Sequence, residues 1–156
     1  MPNVPRLDTT DLGLLGRLAR DGRATWVELA AEYKLTPPAI ASRVRRLIDR
    51  GVIRQFAALV DPGAIKAVTA FVEVSFEGSE GHEDFRQAVG RLVGVQECHR
   101  LAGNSHYLMK VRVRSSAELD HLLSTALPQA ARGATWRASM VLAIVKESPV
   151  FPLPRA

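Results

Sequence analysis

The chain has 156 residues, and its 21 Lys and Arg against 16 Asp and Glu give a net charge of +5. An apolar content of 47% and a charged content of 24% are ordinary for a globular protein, which excludes a disordered or collagen-like chain. No apolar run approaches the roughly 18–20 residues of a membrane span, and the start lacks a signal-peptide core, so a cytoplasmic location without a membrane partner is expected.

The first part of the chain predicts two short helices. Asp8 can cap a first helix, whose leucines recur at helical spacing until Asp21-Gly22 breaks the pattern. Thr25 and Glu28 then have the spacing of a capping box, in which the hydroxyl reaches forward and the carboxylate reaches back. We therefore expect a second helix to begin directly after Thr25.

A third helix is predicted after a three-residue turn. Thr36 supplies an N-cap, Pro37 suits the first helical position, and Gly51 suits the left-handed residue that follows a helix. Apolar residues at i, i+4, i+7 and i+8 predict one buried stripe on this helix. The stripe is Ile40, Val44, Leu47 and Ile48.

Positive charge collects around this third helix. Within residues 34–54, six Lys and Arg stand against the single acidic Asp49. Two short helices joined by a tight turn, the second with a basic outer face, are typical of a DNA-binding helix-turn-helix. The bland alternatives are a solvated arginine-rich face and a three-helix bundle with no nucleic-acid partner.

In a helix-turn-helix the start of the second helix meets base edges, and basic side chains hold phosphates. Pro38, Ala39 and Ser42 are therefore candidates for base contact, and the arginines are candidates for phosphate contact. The full set of candidate DNA-binding residues is Thr36, Pro37, Pro38, Ala39, Ser42, Arg43, Arg45, Arg46 and Arg50.

Further along the chain the periodicity changes from helical to alternating, which predicts a different domain. Strands are expected over 70–76, 95–101, 107–113 and 135–145. One helix is expected between the first and second strands, and another between the third and fourth. This β-α-β, β-α-β order predicts a ferredoxin-like sandwich, a four-stranded antiparallel sheet with both helices on one face. Because Phe71, Met109 and Met140 cannot all face two helices, we expect a second copy of the chain to cover the other face, giving a homodimer.

The fold class predicted is α+β, a three-helix winged-type helix-turn-helix followed by a ferredoxin-like βαββαβ sandwich. The domains are expected at 1–52 for DNA binding, 53–66 as a linker strand, and 67–156 for effector binding and oligomerisation. The histidines at 82, 99, 106 and 121 and the single Cys98 fit no common zinc spacing, and no phosphate loop or nucleophile elbow is present. Neither a metal, a cofactor nor an enzymatic activity is therefore expected.

Several motifs occur over roughly residues 6–154. In the first part these are Leu7-Asp8-x-x-Asp11-x-x-Leu14-Leu15, Gly22-Arg23, Glu28-Leu29-Ala30 and Arg43-Val44-Arg45-Arg46-Leu47-x-x-x-Gly51-Val52-Ile53. In the second part they are Gly103-x-x-x-Tyr107-Leu108-Met109-Lys110-Val111 and Val141-Leu142. Together they resemble the motifs of the leucine-responsive regulator / asparagine regulator (Lrp/AsnC) family of transcription factors. The resemblance implies a DNA-binding domain, an effector-binding domain that senses amino acids, and dimers that assemble further, often into octamers.

The resemblance also implies an effector site around the loop after Gly103, with one departure. The family usually has Gly-Asp-x-Asp-Tyr there, whereas this chain has Gly103-Asn104-Ser105-His106-Tyr107. An aspartate can pair with an ammonium group, but Asn104 has no charge and His106 changes both charge and size. An altered or weakened amino-acid response is therefore expected, the alternative being a simple polar turn. The effector-binding candidates are Gly103, Asn104, Ser105, His106, Tyr107, Thr135 and Ser139.

The sequence thus predicts a sequence-specific transcriptional regulator that binds double-stranded DNA and itself and is modulated by a small molecule such as an amino acid. Two alternatives fit the same sequence features. One is a metabolic small-molecule-binding protein with an incidental basic helix, and the other is an architectural protein that compacts DNA.

Overall fold

The computed structural model describes residues 6–102, 106–148 and 150, and in it the chain forms two compact units. The first unit comprises the described residues up to Leu59 together with those from Lys146 onward, and the second is Val60–Val145. The domain limits expected at residues 52 and 66 stay predictions. Within the described residues, no helix has the length and apolar character needed to cross a bilayer.

The first unit contains helices α1 (Thr9–Arg20), α2 (Trp26–Tyr33) and α3 (Pro37–Asp49). Each begins at a capping residue found in the sequence, because the cap side chain accepts an otherwise unpaired backbone N–H. Asp8 accepts from the N–H of Asp11, and Thr25 accepts from that of Glu28, and both caps are reciprocated. Lys34 ends α2 in the left-handed conformation, with φ at 53°.

The core of the first unit confirms most of the predicted stripe on α3. Ile40, Val44 and Leu47 are buried, and the first two pack with leucines of α1 and α2. Ile48, however, is 44% exposed, so its assignment to the buried stripe was wrong. At about 100° per residue, Ile48 is rotated some 80° from Ile40 and lies at the margin of the apolar face.

The segment that follows α3 is irregular. Gly51 takes φ at 68°, as expected of a residue after a helix end. Residues 54–60 form no hydrogen-bonded ladder with another described strand, and turns occupy 62–66. The segment expected as a linker strand therefore has no strand pairing among the described residues.

The second unit has the predicted β-α-β, β-α-β order. In chain order its elements are β1 (Val68–Phe76), α4 (His82–Val89), β2 (Val95–Arg100), β3 (His106–Val113), α5 (Ser116–His121), a π turn (Leu122–Ala126), α6 (Leu127–Ala130) and β4 (Ala134–Met140). The strands form one antiparallel sheet in the order β2-β3-β1-β4. This order confirms the predicted ferredoxin-like arrangement.

Strand β4 ends at Met140, whereas the sequence pattern predicted a strand to residue 145. Its partner β1 begins at Val68, and the Val141 N–H donates the last bond, to the carbonyl of Thr69 at 2.9 Å. Residues beyond this point have no strand beside them in the sheet. The alternating apolar pattern therefore extends to residue 145, although the hydrogen bonds between β4 and β1 end earlier.

The second helical segment contains a π turn between α5 and α6. The N–H of Leu127 donates to the carbonyl of Leu122, five residues earlier, rather than to the usual fourth. Pro128 follows directly and has no N–H to donate to the carbonyl of Ser124. A wider turn before a proline removes the need for that bond. The helical segment therefore continues through the π turn and Pro128.

The two faces of the sheet differ sharply. On β1, Ala70, Val72, Val74 and Phe76 are buried and pack with Phe85 of α4 and leucines of the α5–α6 segment. The alternate residues lie on the opposite face, which we call the open face, because side chains alternate along a strand. Phe71 is 40% exposed there.

The two methionines lie on the helix-covered face of the sheet. Met109 is the partner of Val72 and Met140 is the partner of Ala70, so both share the helix-covered face. Met109 is fully buried, whereas Met140, the last residue of an edge strand, is 56% exposed. Phe71 lies on the open face, so the three residues do not all face the helices, in agreement with the prediction.

Candidate functional sites

Helix α3 separates an apolar face from a basic one. At about 100° per residue, Pro38, Ser42 and Arg45 point away from the stripe that packs into the core. All three are exposed, as are the other predicted contact residues except two. The exceptions are Ala39 and Arg43, which are half-buried. A polar surface with an arginine-rich end is thus present on one side of a firmly packed helix.

The start of α3 offers few backbone donors. Pro37 and Pro38 have no N–H, and the N–H of Ala39 donates to Oγ1 of Thr36 at 3.4 Å. The N–H of Ile40 donates to the carbonyl of Thr36 at 3.1 Å. Residues 37–40 therefore have no free backbone N–H to offer a ligand.

Arg43 is engaged within the first unit. Its Nη1 donates to Oδ2 of Asp8 at 2.7 Å and to Oδ1 of Asp11 at 2.8 Å. The guanidinium holds the pKa of the Asp8 carboxyl below its ordinary value, and the two carboxylates raise the pKa of Arg43. Among the described residues, no carboxylate forms an ion pair with Arg45 or Arg46.

The predicted role of Arg43 as a phosphate ligand did not anticipate this pairing. Helical rotation puts Arg43 at the flank of the buried stripe, which was readable from the sequence. The spacing of Asp8 and Asp11 was also visible, but only the packing of α1 against α3 brings those carboxylates to an arginine 32 or more positions later.

The effector candidates fall into separate places. Gly103, Asn104 and Ser105 lie outside the described residues, and only the backbone of His106 is described. The Cα partners are His106 with Ser75 and Ser75 with Thr135, so these three form one row across β3, β1 and β4. The end of the candidate loop and Thr135 therefore meet at the same end of the sheet.

Ser139 is farther along the open face. It is the partner of Phe71 and lies four residues from Thr135, or about 14 Å along an antiparallel strand. Thr135 and Ser139 thus share a face and a strand, but they are too far apart for both to contact a small ligand at the end of the loop.

Tyr107 lies on the other face. Its side chain is only 2% exposed and packs among Phe76, Phe85 and His82, with ring centroids 4.9–6.2 Å from its own. The hydroxyl lies 3.1 Å from Nδ1 of His82, whose Nε2 lies 3.2 Å from the carbonyl of Gly78. Because a carbonyl only accepts, Nε2 carries the proton in the neutral ring and Nδ1 accepts from the tyrosine hydroxyl.

A charged cluster on the open face was not anticipated from the sequence. Oε1 of Glu97 lies 3.4 Å from Nζ of Lys110, and its Oε2 lies 3.1 Å from Nε2 of His99. These contacts lower the pKa of Glu97, that with His99 contributing most. A register shift between Val95 and Glu97 puts Glu97 opposite Lys110, and such a shift is not readable from an alternating pattern. In the described part, no group of three or more His, Cys, Asp or Glu could hold a metal ion.

Comparison with known proteins assigns both units. A family model described as winged helix-turn-helix DNA-binding matches residues 7–54, and one described as Lrp/AsnC ligand binding domain matches residues 69–151. The leucine-responsive regulatory protein of Escherichia coli K12 is 34% identical over 145 residues, which cover 91% of this chain and 88% of that protein.

Solved structures agree in fold over nearly the whole chain. The leucine response regulatory protein of Mycobacterium tuberculosis is 33% identical with a TM-score of 0.83, covering 95% of this chain and all of that one. A transcriptional regulator of Neisseria meningitidis, solved as a complex with L-methionine, is 31% identical with a TM-score of 0.80. Here the match covers 94% of this chain and 97% of the other.

Proposed function

We infer the action of this chain from one premise, that it belongs to the Lrp/AsnC family of transcriptional regulators. Its helix-turn-helix domain binds DNA, its second domain binds a ligand, and the protein is a ligand-modulated transcriptional regulator. We propose in addition that it acts in the cytoplasm and catalyses no reaction.

We propose that α3 is the DNA-reading helix. The observation that carries this assignment is the separation of its two faces, since Ile40, Val44 and Leu47 are buried while Arg45 and Arg46 are exposed without an ion-pair partner in the described part. Unpaired arginines on a rigid helix can neutralise phosphates at little cost in side-chain order. Arg50, at the end of the helix, would contact phosphates of the same DNA strand.

Base contact falls to the first two turns of α3. Pro38 and Ala39 are apolar and suit the methyl group of thymine, whereas Ser42 can hydrogen-bond to any base. Thr36 and Pro37 precede them at the helix start. Because residues 37–40 offer no free backbone N–H, we expect side chains to contribute most of the contacts between this helix start and the DNA backbone.

We propose that the ligand is an amino acid or a related small molecule, bound beside residues 103–106 at the row that contains Ser75 and Thr135. The L-methionine complex of the N. meningitidis regulator supports this ligand class. Asn104 and His106 stand where the family usually has acidic residues, so the ammonium group of an amino acid would be held more weakly here. Tyr107, buried on the other face, would act by anchoring the strand that carries the loop.

We also propose that two copies of the chain pair through the open face. Phe71 is exposed and Leu108 is half-buried among the polar and charged residues of this face, and a second copy would bury both. A two-fold dimer would present two copies of α3, which suits DNA with two similar half-sites.

The experiment that tests the function is binding to DNA selected by the protein itself. Wild-type protein would be used to enrich duplexes from a random library, and its affinity for an enriched duplex and a scrambled one would be measured against salt. We expect tighter binding to the enriched duplex and a steep loss of affinity with salt. Equal binding to both duplexes would support an architectural protein instead, and no binding at low salt would refute the assignment.

A further inference from the structure

Arg43 differs from the other arginines of α3 in direction and in contacts. It lies beside the buried Leu47 and Ile40 in helical rotation, and one guanidinium nitrogen contacts Asp8 at 2.7 Å and Asp11 at 2.8 Å. These carboxylates form the capping box of α1. A single arginine group therefore joins the first turn of α1 to the middle of α3.

We propose that Arg43 is a positioning residue for DNA reading and not a phosphate ligand. Two carboxylates within 3 Å outweigh its single positive charge, so the site as a whole offers no net attraction to a phosphate. Its contribution is to fix the rotation of α3 about the helix axis. This inference rests on the proposed assignment of α3 as the DNA-reading helix.

The rotation of α3 matters more for bases than for phosphates. Side chains extend about 5–6 Å from a helix axis, so a rotation of 20° moves a contacting atom such as Oγ of Ser42 by about 2 Å. A hydrogen bond to a base edge does not survive a shift of that size. Phosphate attraction acts over a longer range and depends on the number of phosphates neutralised, which such a rotation leaves unchanged.

The test compares two arginines of α3 on an enriched and a scrambled duplex, over a range of salt concentrations. For Arg43→Met we expect the preference for the enriched duplex to fall about fivefold or more, the cost of one lost base contact, with an unchanged salt slope. For the matched control Arg45→Met we expect the reverse, a slope shallower by about 0.9 and a retained preference. Arg43→Lys should recover part of the preference, because an ammonium group can still contact both carboxylates.

Substitution of the two carboxylates gives a second test, in which negative rather than positive charge is removed. Asparagine still caps a helix, so Asp8→Asn with Asp11→Asn removes the ion pairs but keeps the caps. Loss of two negative charges should by itself strengthen binding to every DNA, as we expect for the control Asp21→Asn with Asp49→Asn. The positioning role predicts, in addition, that Asp8→Asn with Asp11→Asn lowers the preference for the enriched duplex, whereas the control variant keeps it.

The outcomes separate this inference from the proposed function. If the wild type enriches no sequence, the assignment of α3 fails and this inference fails with it. If the wild type enriches a sequence but Arg43→Met loses about 0.9 in salt slope and keeps its preference, only the positioning role is refuted. Circular dichroism and, in a Trp136→Phe background, the fluorescence of Trp26 check folding, and the asparagine variants carry the test if Arg43→Met does not fold.

Discussion

The hydroxyl of Tyr107 donates to Nδ1 of His82 across 3.1 Å inside the second unit. This contact joins β3, directly after the candidate effector loop, to the first residue of α4. The same imidazole bonds through Nε2 to the carbonyl of Gly78, so the turn after β1 is connected to the strand that leaves the loop.

We expect Tyr107→Phe to lower the free energy of unfolding of the second unit by about 1 kcal/mol, because the ring packing is kept and one buried hydrogen bond is lost. Each unit contains one tryptophan, so Trp136 reports this unit alone in a Trp26→Phe background. Denaturation of Tyr107→Phe, His82→Ala and the double variant forms a thermodynamic cycle. Additive effects would contradict a direct interaction.

Arg45→Ala and Arg46→Ala should each weaken binding to all DNA sequences to a similar extent. Loss of one phosphate contact lowers the salt slope by about 0.9, while the base-reading residues stay in place. Fluorescence anisotropy with several duplexes at a series of salt concentrations measures both quantities. A changed sequence preference in either variant would make that arginine a base reader.

Asn104→Asp with His106→Asp should increase the affinity for a simple amino acid such as L-methionine by tenfold or more. The two carboxylates can form charge-assisted hydrogen bonds with the ammonium group, each of about 1.5–3 kcal/mol. Calorimetric titration of the wild type and the double variant with the twenty amino acids makes the comparison. Tight binding of an ordinary amino acid by the wild type would refute the proposed weakening.

Phe71→Lys should favour the monomer, because the lysine would put a charge at the centre of the proposed contact between open faces. Sedimentation velocity over a concentration series would show a dissociation constant raised by about tenfold or more. Val93→Lys is the control, since Val93 lies in the turn after α4 and is already 90% exposed. An unchanged association state in Phe71→Lys would exclude pairing through this face.

The Asp8–Arg43 pair predicts a pH dependence of stability in the first unit. Arg43 lowers the pKa of Asp8 from its ordinary value of 3.8, so the stabilisation is fully present above about pH 4 and is lost as the pH falls through the lowered value. Asp8→Asn should be less stable than the wild type at pH 7 by about 0.5 kcal/mol, as for a partly exposed pair.

The difference between Asp8→Asn and the wild type should then shrink below pH 4. Unfolding in a Trp136→Phe background, followed by the fluorescence of Trp26, measures it in the first unit. Carboxylates such as Asp21 and Glu28 titrate in both proteins, so their contributions cancel in the comparison. A difference that stayed the same from pH 7 to pH 3 would contradict a stabilising role for the charge of Asp8.

Local signals were enough to predict every helix of the first unit. Caps such as Thr25 and Thr36 act within three residues of themselves, so the sequence carries the whole interaction. The strand order was also predictable, since right-handed crossovers leave few arrangements for two β-α-β units.

Long-range pairing limited the prediction of the sites. Arg43 had the spacing of a phosphate ligand, and only the packing of α1 against α3 showed its carboxylate partners. Tyr107 is adjacent to the candidate loop in sequence, but the alternation of a strand turns its side chain into the core. Thr135 meets the end of the loop because β1 lies between β3 and β4, a neighbour relation that no local pattern encodes.

The π turn over Leu122–Ala126 also has a consequence for how this chain tolerates changes in length. A turn that closes on the fifth residue holds one residue more than a regular α-helical turn, yet Leu122 and Leu127 on either side of it are both buried. Deleting Ser124 would therefore convert the segment into a regular helix without rotating either leucine away from the sheet. Alignments of related chains should place single-residue gaps here, with Pro128 replaced wherever the gap occurs.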